Sequence, residues 1–283
     1  MQKVITKEIE SGKQILLLSD LHADNPKADL KYIRKVLDEA VKRDARIHLN
    51  GDTFCLMQGR YDPRASKDDI RPEHWGGNYF DKVVNWMCDL LEPYAHHIDW
   101  IGQGNHESAS YKRHETDVVD RLVTLLNYKT GSSIEAGAYK NWIYYKVVNG
   151  KHRRAPFRIF AHHGFGGGGP VTKGVIQNQR LDAALSNADM VWQGHVHERY
   201  VLETVKEHLH TSHGTYRVIP RTVYHVRTST FKEEANTGVG FHIERGRNFK
   251  PLGGYWMTLH IQREREGGHI PQHVVAQFES TVI

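Results

Sequence analysis

A chain of 283 residues with 39% hydrophobic content has the length to bury a sizeable core, which excludes a disulfide-stapled miniprotein. Lys and Arg number 38 against 33 Asp and Glu, a formal charge of +5 that 20 histidines enlarge at lower pH, far from a histone-like polycation. No apolar run approaches the ~20 residues that cross a bilayer, the first ten residues lack the apolar heart of an export signal, and Cys55 and Cys88 are too few for a disulfide framework. The expectation is a soluble cytoplasmic protein with reduced thiols.

The first patterned segment is 14–19, where Ile15, Leu16, Leu17 and Leu18 form a continuous apolar run suited to a strand buried on both faces. It ends in Asp20 and His22. Asn25 and Pro26 then supply a helix start, and Leu30, Ile33, Leu37 and Val41 recur at helical spacing up to Lys42 and Arg43. A short strand at 46–49 ends in Asn50-Gly51-Asp52. From Leu56 to Asn78, Gly, Pro, Arg, Asp and Trp without a clear period predict a long, lid-like excursion from the sheet.

Phe80, Val83, Val84, Met87, Leu90 and Leu91 mark an amphipathic helix that Pro93 stops. A strand at 98–101 leads into the turn Gly102-Gln103-Gly104-Asn105-His106-Glu107. A helix at 118–126, strands at 142–148 and 157–161, a glycine-rich turn and a helix at 175–185 follow. A strand at 190–193 then precedes Gly194-His195-Val196-His197. The last third is strand-like at 199–204, 216–226, 255–261 and 273–278. Alternating β and α followed by strands predicts an α/β fold, two sheets packed face to face with helices outside, in a single domain over 1–283. The loop at 56–78 is an insertion in it, and 199–283 its strand-rich end.

Five strand ends deliver metal-capable side chains: Asp20 with His22, Asp52, Asn105 with His106, His162 with His163, and His195 with His197. The crevice beyond the carboxyl ends of strands is where α/β sheets bind ligands, so these residues are expected to converge there. Asp20/His22 and His195/His197 are i, i+2 pairs, which in extended backbone share a side. Carboxylate, imidazole and amide oxygen without thiolate favour Mn²⁺, Fe²⁺, Zn²⁺, Co²⁺ or Ni²⁺ over a structural zinc. With Asp52 as a bridge, two ions would lie roughly 3.5–4 Å apart, share a hydroxide formed near neutral pH, and grip one phosphate.

The ordered series Asp20-Leu21-His22, Gly51-Asp52, Gly104-Asn105-His106-Glu107, His163-Gly164 and Gly194-His195-Val196-His197 resembles the calcineurin-like metallophosphoesterase superfamily over about residues 15–198. The resemblance implies a four-layer αββα sandwich of two mixed sheets with a dinuclear centre of divalent ions, Mn²⁺ foremost. It implies that Asp20, His22 and His197 hold one ion. Asn105, one of His162 and His163, and His195 hold the other, with Asp52 bridging both. His163 is favoured because it directly precedes Gly164, leaving His162 to touch substrate or to pack. His106 takes the family role of binding the phosphoryl oxygen and protonating the leaving alkoxide, and Glu107 is expected to accept from a histidine, His106 being the candidate.

The implied partner is a phosphate ester, by phosphodiesterase or phosphomonoesterase chemistry. A DNA nuclease using the same centre and a non-catalytic binding protein on the same scaffold are the alternatives; the charge does not demand nucleic acid, and no membrane is involved. Gly164-Phe165-Gly166-Gly167-Gly168-Gly169 formally satisfies GxGxxG with Asp189 twenty residues on, but Pro170 follows at once and a loop beside the metals is the better reading. Arg60, Arg64, Lys67 and Arg71 with Trp75 and Tyr79 are candidates for a phosphate-binding lid. Lys112, Arg113 and His114 follow the Asn105 turn, Lys151-His152-Arg153-Arg154 reads as an exposed hairpin turn, Trp86 and Met87 as helix packing, and Cys55 as a small buried residue.

Overall fold

A computed structural model describes residues 4–58, 62–151, 153–212, 214–233, 249–263 and 272–281. Arg60 and His152 lie outside the described residues. The chain opens with β1 (Val4–Glu10) and β2 (Gln14–Leu18), then α1 (Leu30–Lys42) and β3 (Arg46–Leu49). The helix α2 (Tyr79–Leu91) runs into a 3₁₀ stretch over Glu92–His97 that contains Pro93, and β4 (Ile98–Ile101) follows. Next come α3 (Asn105–His114), α4 (Val118–Thr130), β5 (Glu135–Ala136), β6 (Lys140–Asn149) and β7 (Arg153–His162). The remainder is α5 (Val175–Ala183), β8 (Met190–Gln193), β9 (Tyr200–Ser212), β10 (Thr215–Arg227), β11 (Tyr255–Arg263) and β12 (Gln272–Ser280).

Two mixed sheets of six strands result, in the orders β12-β11-β2-β3-β4-β5 and β1-β6-β7-β8-β10-β9. Pairing is parallel from β2 through β5, and antiparallel where β11 and β12 close the edge. The apolar run of β2 serves two cores at once, because successive side chains point to opposite faces. Ile15 and Leu17 pack between the sheets with Trp100, Tyr145, Ile159, Trp192, Val226 and Met257. Leu16 and Leu18 face the other way, onto Ile33 and Leu37 of α1, Met87 of α2 and Leu122 of α4. On the far face of the second sheet, Phe160, Val191 and Val223 pack against Leu181 of α5. The layers are therefore helices, sheet, sheet, helix.

The strands expected at 46–49, 98–101 and 190–193 match β3, β4 and β8 in extent. The start of α1 differs: Asp29 caps it by accepting from the Tyr32 N–H, while Asn25 Oδ1 accepts from Lys27 N–H within the preceding loop. The Asn105 segment is a helix, not a turn. The hairpin of β9 and β10 is longer than expected, thirteen residues a side, its outer half too polar to read as buried strand. Among the described residues no helix is long and apolar enough to cross a membrane.

Candidate metal centre

At one end of the sandwich, the segments leaving β2, β3 and β4 of one sheet meet those leaving β7 and β8 of the other. Asp20, His22, Asp52, His195 and His197 all adopt left-handed backbone conformations, with φ of 53°, 44°, 47°, 71° and 56°. The i, i+2 pairs are thus not in the extended backbone expected of them: sharp left-handed turns, not pleat alternation, aim these side chains. Such conformations cost of order ~1–3 kcal/mol each and persist where surrounding structure fixes them. Here Asp20 N–H donates to Gly51 O at 3.0 Å and His22 N–H to Asp52 O at 3.0 Å, stitching the two turns together.

Two clusters form. Asp20, His22 and His197 bring ligand-capable atoms within 4.8 Å of one another, and so do Asp52, His163 and His195. His197 Nε2 lies 3.4 Å from Asp20 Oδ1, and His163 Nε2 lies 3.1 Å from Asp52 Oδ2 and 3.9 Å from Asp20 Oδ1. Asp52 Oδ2 is also 3.9 Å from His22 Nε2, so this one oxygen faces both groups. Asn105 Oδ1 joins the second group, 2.7 Å from His195 Nδ1 and 3.2 Å from His163 Nε2.

Backbone carbonyls fix the orientation of three rings, because a carbonyl only accepts and the ring nitrogen facing it must donate. His163 Nδ1 donates to Asn50 O at 2.8 Å, His195 Nε2 to Gly166 O at 3.0 Å, and His106 Nδ1 to the Cys55 carbonyl. A neutral ring then turns its remaining lone pair toward carboxylate or amide oxygen, where lone pair meets lone pair unless a positive charge sits between. His22 states the same need differently: it is 3% exposed, and neither ring nitrogen has a hydrogen-bond partner among the described residues. A buried polar atom without a partner is costly, and a cation satisfies it. The donor set fits divalent ions of the borderline and hard kind.

The electrostatics agree. Burial alone would lower the His163 pKa, yet the Asp52 and Asp20 charges outweigh it and raise it to about 10, so a proton sits where positive charge is in demand. Burial works against ionised Asp20 as well, but His163 and His197 hold it at about 2, and Asp52 is kept well below the carboxylate range against the same penalty. His22 is pushed well down by burial and then by the neighbouring His106; His106 and His195 are lowered chiefly by burial.

Two glycines allow the carboxylates to come this close. A Cβ on Gly194 would lie 2.3 Å from Asp20 Oδ2, and one on Gly104 would lie 2.1 Å from Asp52 Oδ1. The backbone then grips what the glycines admit: His195 N–H donates to both Asp20 oxygens, at 3.1 and 3.0 Å, and His106 N–H donates to Asp52 Oδ1 at 2.9 Å.

The structure separates His163 from His162. His163 is fully buried inside the cluster, whereas His162 turns away, its Nδ1 accepting from Gly164 N–H at 3.0 Å and its ring packed edge-on against Tyr139. Glu107 does not orient a histidine. Its carboxylate accepts from the backbone N–H groups of Asp52 at 3.0 Å, Phe54 at 2.9 Å and Gly104 at 2.7 Å, so it ties the Asp52 turn to the first turn of α3. Burial and then the Asp52 charge push this carboxyl up to about 8.

Other expectations find definite places. Arg71 donates to the carbonyls of Ala23 and Asn25, which commits it to holding the 56–78 loop on the Asp20 turn and not to a lid over it. Arg64 is paired with Asp62 through two nitrogens, at 3.0 and 2.7 Å. Asp189, the acidic residue of the formal GxGxxG reading, is bound by Arg158 at 3.2 Å and Arg221 at 2.5 Å. Cys55 is buried as expected, yet it also groups with His22 and His106.

One buried residue beside the centre had no signal in the sequence. Arg227, inside β10, donates to Gly194 O at 2.5 Å, Gly174 O at 3.0 Å and Gln193 Oε1 at 2.6 Å, and so braces the turn that carries His195 and His197. A single arginine in a strand-like Val-Arg-Thr stretch reads as an edge charge, and only its fold neighbours reveal the role. No protein-family model matches this chain, and neither does any curated protein.

Proposed function

We propose that the chain is a metal-dependent phosphoesterase of the calcineurin-like superfamily, hydrolysing phosphate esters at a centre of two divalent ions, manganese first among them. The observation that supports this reading most is the position of Asp52, one carboxylate oxygen of which faces both buried clusters. In this reading Asp20, His22 and His197 hold one ion, Asn105, His163 and His195 the other, and Asp52 serves both. When bound, the ions would supply charge stabilisation on the phosphoryl oxygens and an acidified water as attacking group.

The chain's own residues do the rest. His106 stands beside Asp52, its Nε2 3.9 Å from Asp52 Oδ2 and its Nδ1–H anchored on the Cys55 carbonyl. The anchored ring presents Nε2 alone toward the reacting group, where it carries the proton for the departing alkoxide. Burial that lowers its pKa makes the protonated ring a stronger acid toward that oxygen. Glu107 and the Asn50 carbonyl hold the Asp52 turn and the His163 ring in place, so little rearrangement is required as charge develops on the phosphoryl group.

The test is hydrolysis of bis-p-nitrophenyl phosphate and p-nitrophenyl phosphate by chelator-stripped protein before and after return of Mn²⁺, Co²⁺, Ni²⁺ or Zn²⁺. The reading expects no turnover without metal and recovery with Mn²⁺, the preferred ester separating diester from monoester chemistry. Undiminished turnover by metal-free protein would overturn it.

A further inference from the structure

We infer that Cys55, His106 and His22 form a third cation site, selective for soft ions, and that an ion seated there inhibits the reaction proposed above. Their ligand-capable atoms lie within 4.8 Å of one another. The site shares His22 with the Asp20–His197 cluster but differs in chemistry, because it alone of the three groups carries sulfur. Soft thiolate ligands select ions such as Zn²⁺ and Cd²⁺ over Mn²⁺ and Mg²⁺.

Three further observations favour a ligand over plain packing. His22 is 3% exposed, and its two ring nitrogens have no hydrogen-bond partner among the described residues. His106 has spent Nδ1 on the Cys55 carbonyl, so it can offer only Nε2. Finally, Asn25 Nδ2 points at Cys55 Sγ from 3.2 Å, and its own position is set by Asp69 and by the Lys27 N–H. Burial pushes the Cys55 thiol up, so the sulfur gives up its proton only when a cation is seated, and the Asn25 N–H then supports the thiolate so formed. The cysteine itself is held rigidly, since its N–H donates to Asp24 Oδ1 at 2.5 Å and the next residue's N–H to Asp24 Oδ2 at 3.0 Å.

Binding would form a sulfur–metal bond as the thiol proton leaves to solvent. The seated ion would take the Nε2 lone pair of His106 and compete for His22. The inhibition therefore rests on the proposed role of His106, while the site itself does not. Mn²⁺ has no comparable preference for sulfur, so the two classes of ion act oppositely: one supports turnover and the other stops it.

Titration of the metal-stripped full chain with Co²⁺ tests this by absorption. Co²⁺ among nitrogen and oxygen ligands shows visible d–d bands, and a thiolate ligand adds a near-ultraviolet charge-transfer band. The inference expects both in the native chain and loss of the near-ultraviolet band alone in Cys55→Ser. It also expects Cd²⁺ to inhibit Mn²⁺-loaded native protein, and Cys55→Ser, each protein's rate being taken relative to its own uninhibited rate, to be at least about tenfold less sensitive. Visible bands without the near-ultraviolet band in the native chain would overturn the third site and leave the His–Asp centre standing. Absence of both would overturn both, and equal Cd²⁺ sensitivity of the two proteins would refute the inhibitory role.

Discussion

Asp52 Oδ2 lies 3.1 Å from His163 Nε2, and this contact ties a turn of one sheet to a turn of the other across the end of the sandwich. The Asp52 charge is the largest influence raising the His163 pKa to about 10 against the burial of the ring. Asp52→Asn keeps the shape and removes the charge. It is expected to lose both ions and at least about 100-fold in turnover, more than the loss typical of an outer-shell partner. Metal analysis of the purified variant, beside its rate, checks this; retention of two ions per chain would count against a shared role for Asp52.

His106→Ala is expected to separate chemistry from metal binding. Removing a positioned proton carrier costs about 10²–10⁴-fold in rate. The ring packs edge-on against His22 but hydrogen-bonds to neither Asp20 nor His163, so the variant should keep its Mn²⁺ content. Loss of metal together with turnover would move His106 from the reacting group to the ligand set.

Glu107→Gln tests the buried brace. Three backbone N–H groups share the two Glu107 oxygens, and an amide would set an NH₂ against one of them. Loss of an outer partner of this kind costs roughly 10–100-fold in metal affinity or activity. Metal affinity measured by titration should weaken by that factor while the fold, followed by far-ultraviolet circular dichroism, persists. An unchanged affinity would show that the turn holds without the carboxylate.

Gly51-Asp52 and Gly194-His195-Val196-His197 were legible in the sequence because each follows a short apolar run, and such runs in parallel strands end in ligand-bearing turns. The reason for their convergence was not legible, since left-handed φ values at Asp20 and His197 belong to the tertiary stitching of the turns. Helix α3 is hard to read in sequence because Asn105–His114 has almost no apolar stripe; its signal is Glu107 three residues after Gly104, reaching back to the Gly104 N–H as the acidic half of a capping box. Strand β1 is hidden by charge: Glu8 and Glu10 face outward, and Lys7 interrupts the inward face between the buried Ile5 and Ile9. His163 could be favoured over His162 by its glycine neighbour, but only the fold turns one ring inward and the other out.

Away from the centre, Asp99 makes a prediction about pH. Its carboxylate accepts from Arg46 Nε at 3.0 Å and from the Tyr145 hydroxyl at 2.9 Å, with His48 Nε2 3.3 Å away. Burial would raise its pKa, but hydrogen bonds from His48 and Arg46 outweigh that and hold it well below the carboxylate range. A depressed folded pKa contributes stability that is complete above the unfolded value of about 3.9 and is lost as pH falls below it. Asp99→Asn is therefore expected to cost about 3–5 kcal/mol near pH 7, the penalty for breaking a buried pair. Urea unfolding at pH 7 and pH 3 should show the gap between native and variant protein narrowing in acid; a constant gap would contradict the assignment.

Whether the two groups around Asp52 hold cations is decided by anomalous scattering from a crystal of Mn²⁺-loaded protein. The account predicts two manganese peaks, one among Asp20, His22 and His197 and one among Asn105, His163 and His195, with the Asp52 carboxylate between them. A map with no peak at this end of the sandwich, from protein that still hydrolyses a phosphate ester, would contradict it.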